Sequence, residues 1–368
     1  MHRYCTIVSA NYLPQALTLA ESFREVYPGV FLEVLVIDLK RGSIRDHANI
    51  HYIFLEDLPI ESTQVRKMRT YYDVVEFATA LKPTLLLHLL ANTDKTVSYI
   101  DPDIYLFSEI SQAQEMAEEK GLAITPHRIT GMPLIPESPQ ELSFMRVGIY
   151  NLGFICVSNK AHQILRWWEA RLRWHATQFD ALPYFTDQKW ADFFPTFVDG
   201  GILRNSGYNL AFWNLDERPL KVNNDGIFAG EEKLVFVHFS QMSSELMKFG
   251  KSILWATWLQ DVQYDSSSVS VIENLSRNYG EKLTQSAATV RTFRLTPEFT
   301  FSSRGRFARA KMIRKDIAGR SFSARLTLSR VLITPKMLNK LEKSSAISGL
   351  RIGLLRDLLK IQKRLKRD

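Results

Sequence analysis

Cysteine is scarce. The chain holds two, Cys5 and Cys156, each inside an apolar strand-like run. That excludes a disulfide framework and any metal site built on thiolates, and it fits a reducing compartment in which both thiols are small core residues. Long apolar runs are lacking too. The longest, PTLLLHLLA, is too short to span a bilayer and contains His88. The opening MHRYCTIVSANYLPQ has no signal-peptide pattern and runs directly into a strand. A cytoplasmic location is therefore expected. There is no internal repeat and no helix-turn-helix, zinc-finger or RNA-binding signature.

What is present is enough apolar sequence, 45% of 368 residues, for one large domain or two ordinary ones. The net charge of +8 is unevenly placed. Residues 301–368 carry 19 Lys+Arg against 4 Asp+Glu, a net of +15, so the first 300 residues are mildly acidic at −7. The expected organisation is a globular domain over 1–263, a linker over 264–300 that begins with the Ser-rich YDSSSVSV, and a basic tail over 301–368. In SGLRIGLLRDLLKIQKRLKRD the apolar Leu350, Ile352, Leu355, Leu358, Leu359 and Ile361 gather mostly on one side of a helix. A basic amphipathic helix suits an anionic membrane surface better than nucleic acid, and it equally suits packing on protein.

The first third alternates strand and helix. YCTIVSA reads as a strand, LPQALTLAESFREVYP as a helix, FLEVLVIDL as a strand, and TYYDVVEFATALKPTLLLHLLAN as one long helix or two joined at Pro83. TVSYID and GLAITP are further strands. This order predicts an α/β fold with a mostly parallel sheet flanked by helices, and ligands bind such sheets at the carboxyl ends of the strands. Later, VGIYNLGFICVS reads as a strand interrupted at Asn151 and Gly153, YFTDQKWADFFP as a helix starting after Thr186, and KLVFVHFS as a strand ending at His238.

One stretch carries chemistry. In VSYIDPDIYLF, strand formers surround Asp101 and Asp103, and Pro102 between them cannot donate a ladder hydrogen bond. Pairing must stop there, with two carboxylates side by side. Like charges held close are costly without a cation, and Mg²⁺ takes one or two carboxylates together with substrate phosphates. The same residues would also serve as turn caps.

The ordered set SANYLPQ, ALKPTLLLHLL, YIDPDIYLF, YNLGFICVS, TDQKWADFF and VFVHFS resembles the GT-A-fold sugar-nucleotide glycosyltransferases, closest to the retaining branch of glycogenin and the bacterial lipopolysaccharide galactosyltransferases. The resemblance spans roughly Tyr4 to Ser240. It implies a GT-A (Rossmann-like) sheet and a Mn²⁺ or Mg²⁺ ion held by Asp101, Asp103 and His238 against the donor diphosphate. Lys82 then contacts the donor. Ser9, Asn11 and Tyr12 form the nucleotide-binding turn, and Asp38 stands where the base is often read. Asn151 and Gly153 pass under the sugar, and Asp187 and Gln188 lie near it as candidate catalytic groups. The partners implied are a nucleotide sugar, a UDP-sugar first, and a glycan or lipid-linked acceptor in surface polysaccharide assembly, with retention of configuration. The family's terminal Gly and Lys-Pro-Trp are missing, and only Lys248 or Lys251 with Trp255 stand near that place. The other reading is a nucleic-acid- or membrane-binding protein on a non-catalytic domain of this type. Core packing suits the helical Trp167, Trp168 and Trp174, whereas Gly207, Tyr208, Asn209, Trp213 and Asn214 fall in loop sequence, where ligand contacts concentrate.

Overall fold

The computed structural model describes residues 1–131, 141–178, 183–199, 201–240 and 266–298. The expected basic tail, and Lys248, Lys251 and Trp255, lie outside these residues. Strands β1 (Arg3–Val8), β2 (Leu32–Val36), β3 (Ile50–Phe54), β4 (Val97–Ile100), β5 (Ile104–Leu106), β6 (Leu122–Pro126) and β7 (Tyr150–Val157) build most of the framework. All but β5 join one six-stranded sheet in the order β3-β2-β1-β4-β7-β6. The β3-β2-β1-β4 ladder is parallel, and β7 runs against both neighbours. The mostly parallel α/β class expected from the sequence is the class observed.

Helix α1 (Leu13–Val26) follows the first strand. Pro14 sits in its first turn, where a missing N–H costs nothing. Leu13, Leu17 and Phe23 are buried in a core with Tyr4, Leu32, Val34 and Ile100, each side chain contributing about 1.5–3 kcal/mol by leaving water.

Of the two readings of residues 70–92, one long helix or two joined at Pro83, the structure has the second, with a further break at Tyr72–Asp73. The structure has α2 (Ser62–Tyr71), α3 (Val74–Ala80) and α4 (Lys82–Leu90). Asp73 caps α3 by accepting from the Glu76 N–H at 3.0 Å, and Glu76 returns the bond to the Asp73 N–H at 3.0 Å, a reciprocal box that starts a new helix. Pro83 lies in the first turn of α4 and starts a helix there too.

After α5 (Ser111–Lys120), α6 (Glu141–Val147) and α7 (His162–Leu172), the chain shortens its elements. The helix expected after Thr186 is a 3₁₀ segment, Gln188–Phe193, leading into α8 (Phe194–Phe197). Strands β8 (Leu220–Asn223), β9 (Gly226–Ala229) and β10 (Glu232–Lys233) form a small meander, and β11 (Phe236–His238) pairs antiparallel with β5.

The linker expected over 264–300 is corrected. Residues Ser266–Arg291 form a 26-residue helix, α9, inside the compact unit Met1–Phe301. Its buried Ile272, Leu275, Tyr279 and Leu283 recur at helical spacing. Three of its serines, Ser268, Ser276 and Ser286, are buried: the Leu220 N–H donates to Ser268 Oγ at 2.7 Å, and the Thr18 hydroxyl donates to Ser286 Oγ at 2.9 Å. Small side chains let α9 approach α1 closely, and Lys282 closes the contact on Glu21 at 2.6 Å and Glu25 at 3.1 Å.

Candidate active site

The ends of β1, β2 and β4 lie on one edge, and the candidate residues gather there. Pairing does stop at the proline. β4 ends at Ile100, and β5 begins at Ile104 against a different partner, β11. The switch between sheets makes the turn that holds Asp101 and Asp103. Its backbone is tied, because the Asp101 N–H donates to Gly153 O at 2.7 Å and the Phe239 N–H donates to Asp103 O at 2.9 Å. The second bond locks the turn to the strand that carries His238.

His238 Nε2 lies 3.1 Å from Asp103 Oδ1 and 3.9 Å from Asp101 Oδ2. One ligand atom from each of the three residues lies within 4.8 Å of the others. Two carboxylates and an imidazole are hard and borderline donors that fit Mn²⁺ or Mg²⁺. On the far side of the ring, Nδ1 stands 3.2 Å from Asn151 Oδ1. In the neutral imidazole, an Nδ1–H donated to that amide leaves the Nε2 lone pair facing the carboxylates, the tautomer a metal ligand needs. Burial would push the His238 pKa down, but Asp103 and Asp101 outweigh it and the net shift is upward. Asp103 feels burial upward and His238 downward, and its net shift is downward. The pair thus already compensates charge at this spot.

Gly153 makes this possible. A Cβ there would stand 2.5 Å from His238 Cε1 and 2.8 Å from both His238 Nδ1 and Asn151 Oδ1. Gly153→Ala is therefore expected to push the imidazole off the carboxylates and weaken divalent-cation binding by roughly 10-fold or more, in line with the loss of a ligand-orienting partner. Calorimetric titration with Mn²⁺ checks it, and an affinity equal to that of the unaltered protein would contradict the role given to the glycine. β7 is one strand from Tyr150 to Val157, and its ladder with β6 is interrupted where the sequence placed the break: Ile124 pairs with Ile155 and Thr125 with Asn151, which leaves Leu152, Gly153 and Phe154 as a bulge.

A second charged group sits beside the first. Lys82 and Asp187 are both almost fully buried, with Nζ 2.8 Å from Asp187 Oδ2 and 3.5 Å from Asp101 Oδ1. The ammonium also donates to Leu152 O at 2.8 Å and lies 4.4 Å from the centre of the Tyr99 ring. Burial opposes its charge, yet Asp101 and Asp187 raise its pKa overall. Burial raises the Asp187 pKa despite Lys82. Tyr99, which the sequence reading overlooked, donates its hydroxyl to Asp101 Oδ1 at 2.7 Å. Its position two residues before Asp101, on the same side of a strand, was the available signal.

Gln188 is a clamp. Its Oε1 accepts from the Leu152 N–H at 3.1 Å and its Nε2 donates to Val147 O at 3.1 Å. His127, also overlooked, stands with Nε2 3.3 Å from Asn151 Nδ2 and Nδ1 3.1 Å from Ile149 O. Burial pushes its pKa down to about 4, so it is neutral and accepts from the amide. That fixes the Asn151 side chain with its oxygen toward His238.

The turn after β1 is close by. Ser9 donates to Asn11 Oδ1 at 2.5 Å, and the Ala10 N–H donates to Asp38 Oδ1 at 2.8 Å. Asp38 is buried, which raises its pKa, and one of its oxygens is engaged in holding the turn. Tyr12 is half-exposed; burial and then Asp103 and Asp101 raise its pKa. The structure thus brings Ser9, Asn11, Tyr12 and Asp38 to the same edge as the acidic pair. Asn209 and Asn214 are buried, with Asn214 accepting from the Ala211 N–H at 2.9 Å and donating to His127 O at 2.9 Å. These two shape the loop. Trp213 stands edge-on to His238, 5.4 Å between centres, and its indole N–H is buried without a partner. Trp168 is fully buried and donates to Asp187 O at 3.1 Å, as core packing predicted.

No family model matches the chain. It is similar to two proteins of Bacillus subtilis (strain 168). The uncharacterized protein YfnD is 24% identical over 246 residues, 64% of this chain and 76% of that one. The uncharacterized protein YfnF is 23% identical over 247 residues, covering 64% and 80%. Similar solved structures are glycosyltransferases. The galactosyltransferase LgtC, in complex with donor and acceptor sugar analogs, is 15% identical over 75% of this chain and 96% of that one, with a TM-score of 0.39. The apo glycosyltransferase GlyE of Streptococcus pneumoniae TIGR4 is 14% identical over 79% and 64%, with a TM-score of 0.43. Mouse xyloside xylosyltransferase 1 is 11% identical over 65% and 98%, with a TM-score of 0.38. Overlaps of this degree carry no weight for the activity, which has to come from the site.

Proposed function

We propose that the protein is a metal-dependent glycosyltransferase that takes a nucleotide sugar, a UDP-sugar first, as donor and a hydroxyl of a glycan as acceptor. The observation that carries this is the ligand set of Asp101, Asp103 and His238 beside a buried Lys82–Asp187 pair, on the edge where an α/β sheet takes ligands. A divalent cation held by the three residues supplies neutralisation of the charge that builds on the departing diphosphate. The chain's own groups do the rest. Ser9, Asn11, Tyr12 and Asp38 line the nucleotide side of the edge. Asn151 holds His238, and Lys82 fixes Asp187 and Asp101 relative to each other. In the transfer, the acceptor oxygen forms a bond to the anomeric carbon while the bond from that carbon to the diphosphate oxygen breaks. The acceptor proton leaves with the diphosphate or to solvent.

Asp187 suits electrostatic support of positive charge developing on the sugar better than covalent attack, because it is buried and paired. With retention, the outcome the family resemblance implies, the acceptor then attacks from the same face as the departing diphosphate. Incubation of a UDP-α-sugar, acceptor and Mn²⁺ is expected to give an α-linked product by the proton NMR signal of the anomeric position, and a β-linkage would overturn the retaining assignment. Binding is tested separately by thermal shift. UDP with Mn²⁺ should raise the unfolding midpoint more than either alone, and absence of any shift with UDP, GDP and CDP would remove the nucleotide-sugar reading.

A further inference from the structure

The two oxygens of Asp101 are not equivalent. Oδ1 accepts from the Tyr99 hydroxyl at 2.7 Å and faces the Lys82 ammonium at 3.5 Å. Oδ2 lies 3.9 Å from His238 Nε2, the ring nitrogen that stands 3.1 Å from Asp103 Oδ1. One oxygen is therefore held by the protein, and the other is turned to the candidate ligand set. The hold on Oδ1 is firm. Tyr99 is only 2% exposed, so water cannot take the place of the carboxylate as its acceptor. Drawing Oδ1 onto a cation would strand a buried donor, which is costly. Lys82 cannot follow, because Asp187 Oδ2 and Leu152 O each hold its ammonium at 2.8 Å. A flip of the carboxylate only exchanges the two oxygens, and one of them still faces the phenol.

This division bears on the choice of ion. Ca²⁺ collects about six to eight oxygens and often takes both from one carboxylate, whereas Mg²⁺ demands a near-ideal octahedron and uses few carboxylates. Mn²⁺ shares the octahedral preference. We propose that Tyr99 is a positioning residue that limits Asp101 to one metal-facing oxygen and so biases the site toward Mn²⁺ and Mg²⁺ and against Ca²⁺. This inference rests on the metal-dependent reading above.

The test is competition between Mn²⁺ and Ca²⁺ in the unaltered full chain and in Tyr99→Phe. Phenylalanine keeps the ring that lies 4.4 Å from the Lys82 ammonium and deletes only the oxygen. Bound Mn²⁺ is followed by the loss of the free-ion paramagnetic resonance signal, and its displacement by Ca²⁺ by the return of that signal, with and without UDP and against a UDP-only blank. In the unaltered protein, Ca²⁺ should displace Mn²⁺ only in large excess. In Tyr99→Phe the dissociation constant for Mn²⁺ should rise by about 10-fold, as for loss of a ligand-orienting partner. That for Ca²⁺ should stay the same or fall, so the preference for Mn²⁺ drops by about 10-fold or more. The ratio is the decisive reading, because a general loosening of the site would weaken both ions alike. Equal weakening of both ions overturns the inference, and so does an unchanged ratio. Displacement of Mn²⁺ by an equal concentration of Ca²⁺ in the unaltered protein overturns it without recourse to the variant. Failure of the unaltered protein to bind Mn²⁺ under either condition overturns the metal reading itself and this inference with it.

Discussion

Asp103→Ala is expected to abolish sugar transfer, by roughly 10³-fold or more, since several kcal/mol of charge stabilisation at the leaving diphosphate go with the metal ligand. The fold should survive. The part of Asp103 that holds the structure is its carbonyl, which accepts from the Phe239 N–H at 2.9 Å, and alanine keeps it. The carboxylate is a quarter exposed, at 25%, so no close-packed side chain is lost. His238 loses the neighbour that raises its pKa and reverts toward the neutral form that burial favours. A full thermal transition with no turnover is the predicted pair of readings. EDTA should reproduce the loss in the unaltered protein, and turnover that persists in either case would contradict the assignment.

Lys82→Met is expected to be the most destabilising single change at the site. It would strand the buried Asp187 carboxylate, now 2.8 Å from the ammonium, and leave the Leu152 carbonyl without its donor. Breaking a buried ion pair from one side costs about 3–5 kcal/mol, a fall in the unfolding midpoint of roughly 10 °C. Lys82→Met with Asp187→Leu should recover much of that loss, because removing both charges leaves neither uncompensated. Recovery of stability without recovery of activity would show that the pair serves the site more than the fold. A double variant as unstable as the single one would show instead that Lys82 chiefly supports Asp101 and Leu152.

Where the sequence was legible, local chemistry and tertiary structure agreed. The strand of Tyr4, the helix after Pro14 and the stop at Pro102 follow from residue type alone, and so do two buried thiols. Strand β3 went unread because it is only five residues long and the exposed His51 blunts its apolar pattern. The break before α3 was visible as Asp73 and Glu76 three residues apart, yet the apolar content of the surrounding sequence suggested continuity. The serines at the start of α9 suggested a linker; the burial of Ser268 under the Leu220 N–H is a tertiary fact. At the site, the acidic pair and His238 could be named, but not what orients them. His127 and Gln188 act through contacts across the chain, such as Gln188 with Leu152 and Val147. Only folding brings those groups together.

The most direct measurement is release of nucleoside diphosphate from a panel of nucleotide sugars, with Mn²⁺, with Mg²⁺ and after EDTA, in the presence of a mixed glycan acceptor pool. The account predicts release of UDP from at least one UDP-sugar that depends on the added cation and vanishes in Asp103→Ala. Folded protein that releases no diphosphate from any donor under any of these conditions, or releases it equally in EDTA, would contradict it.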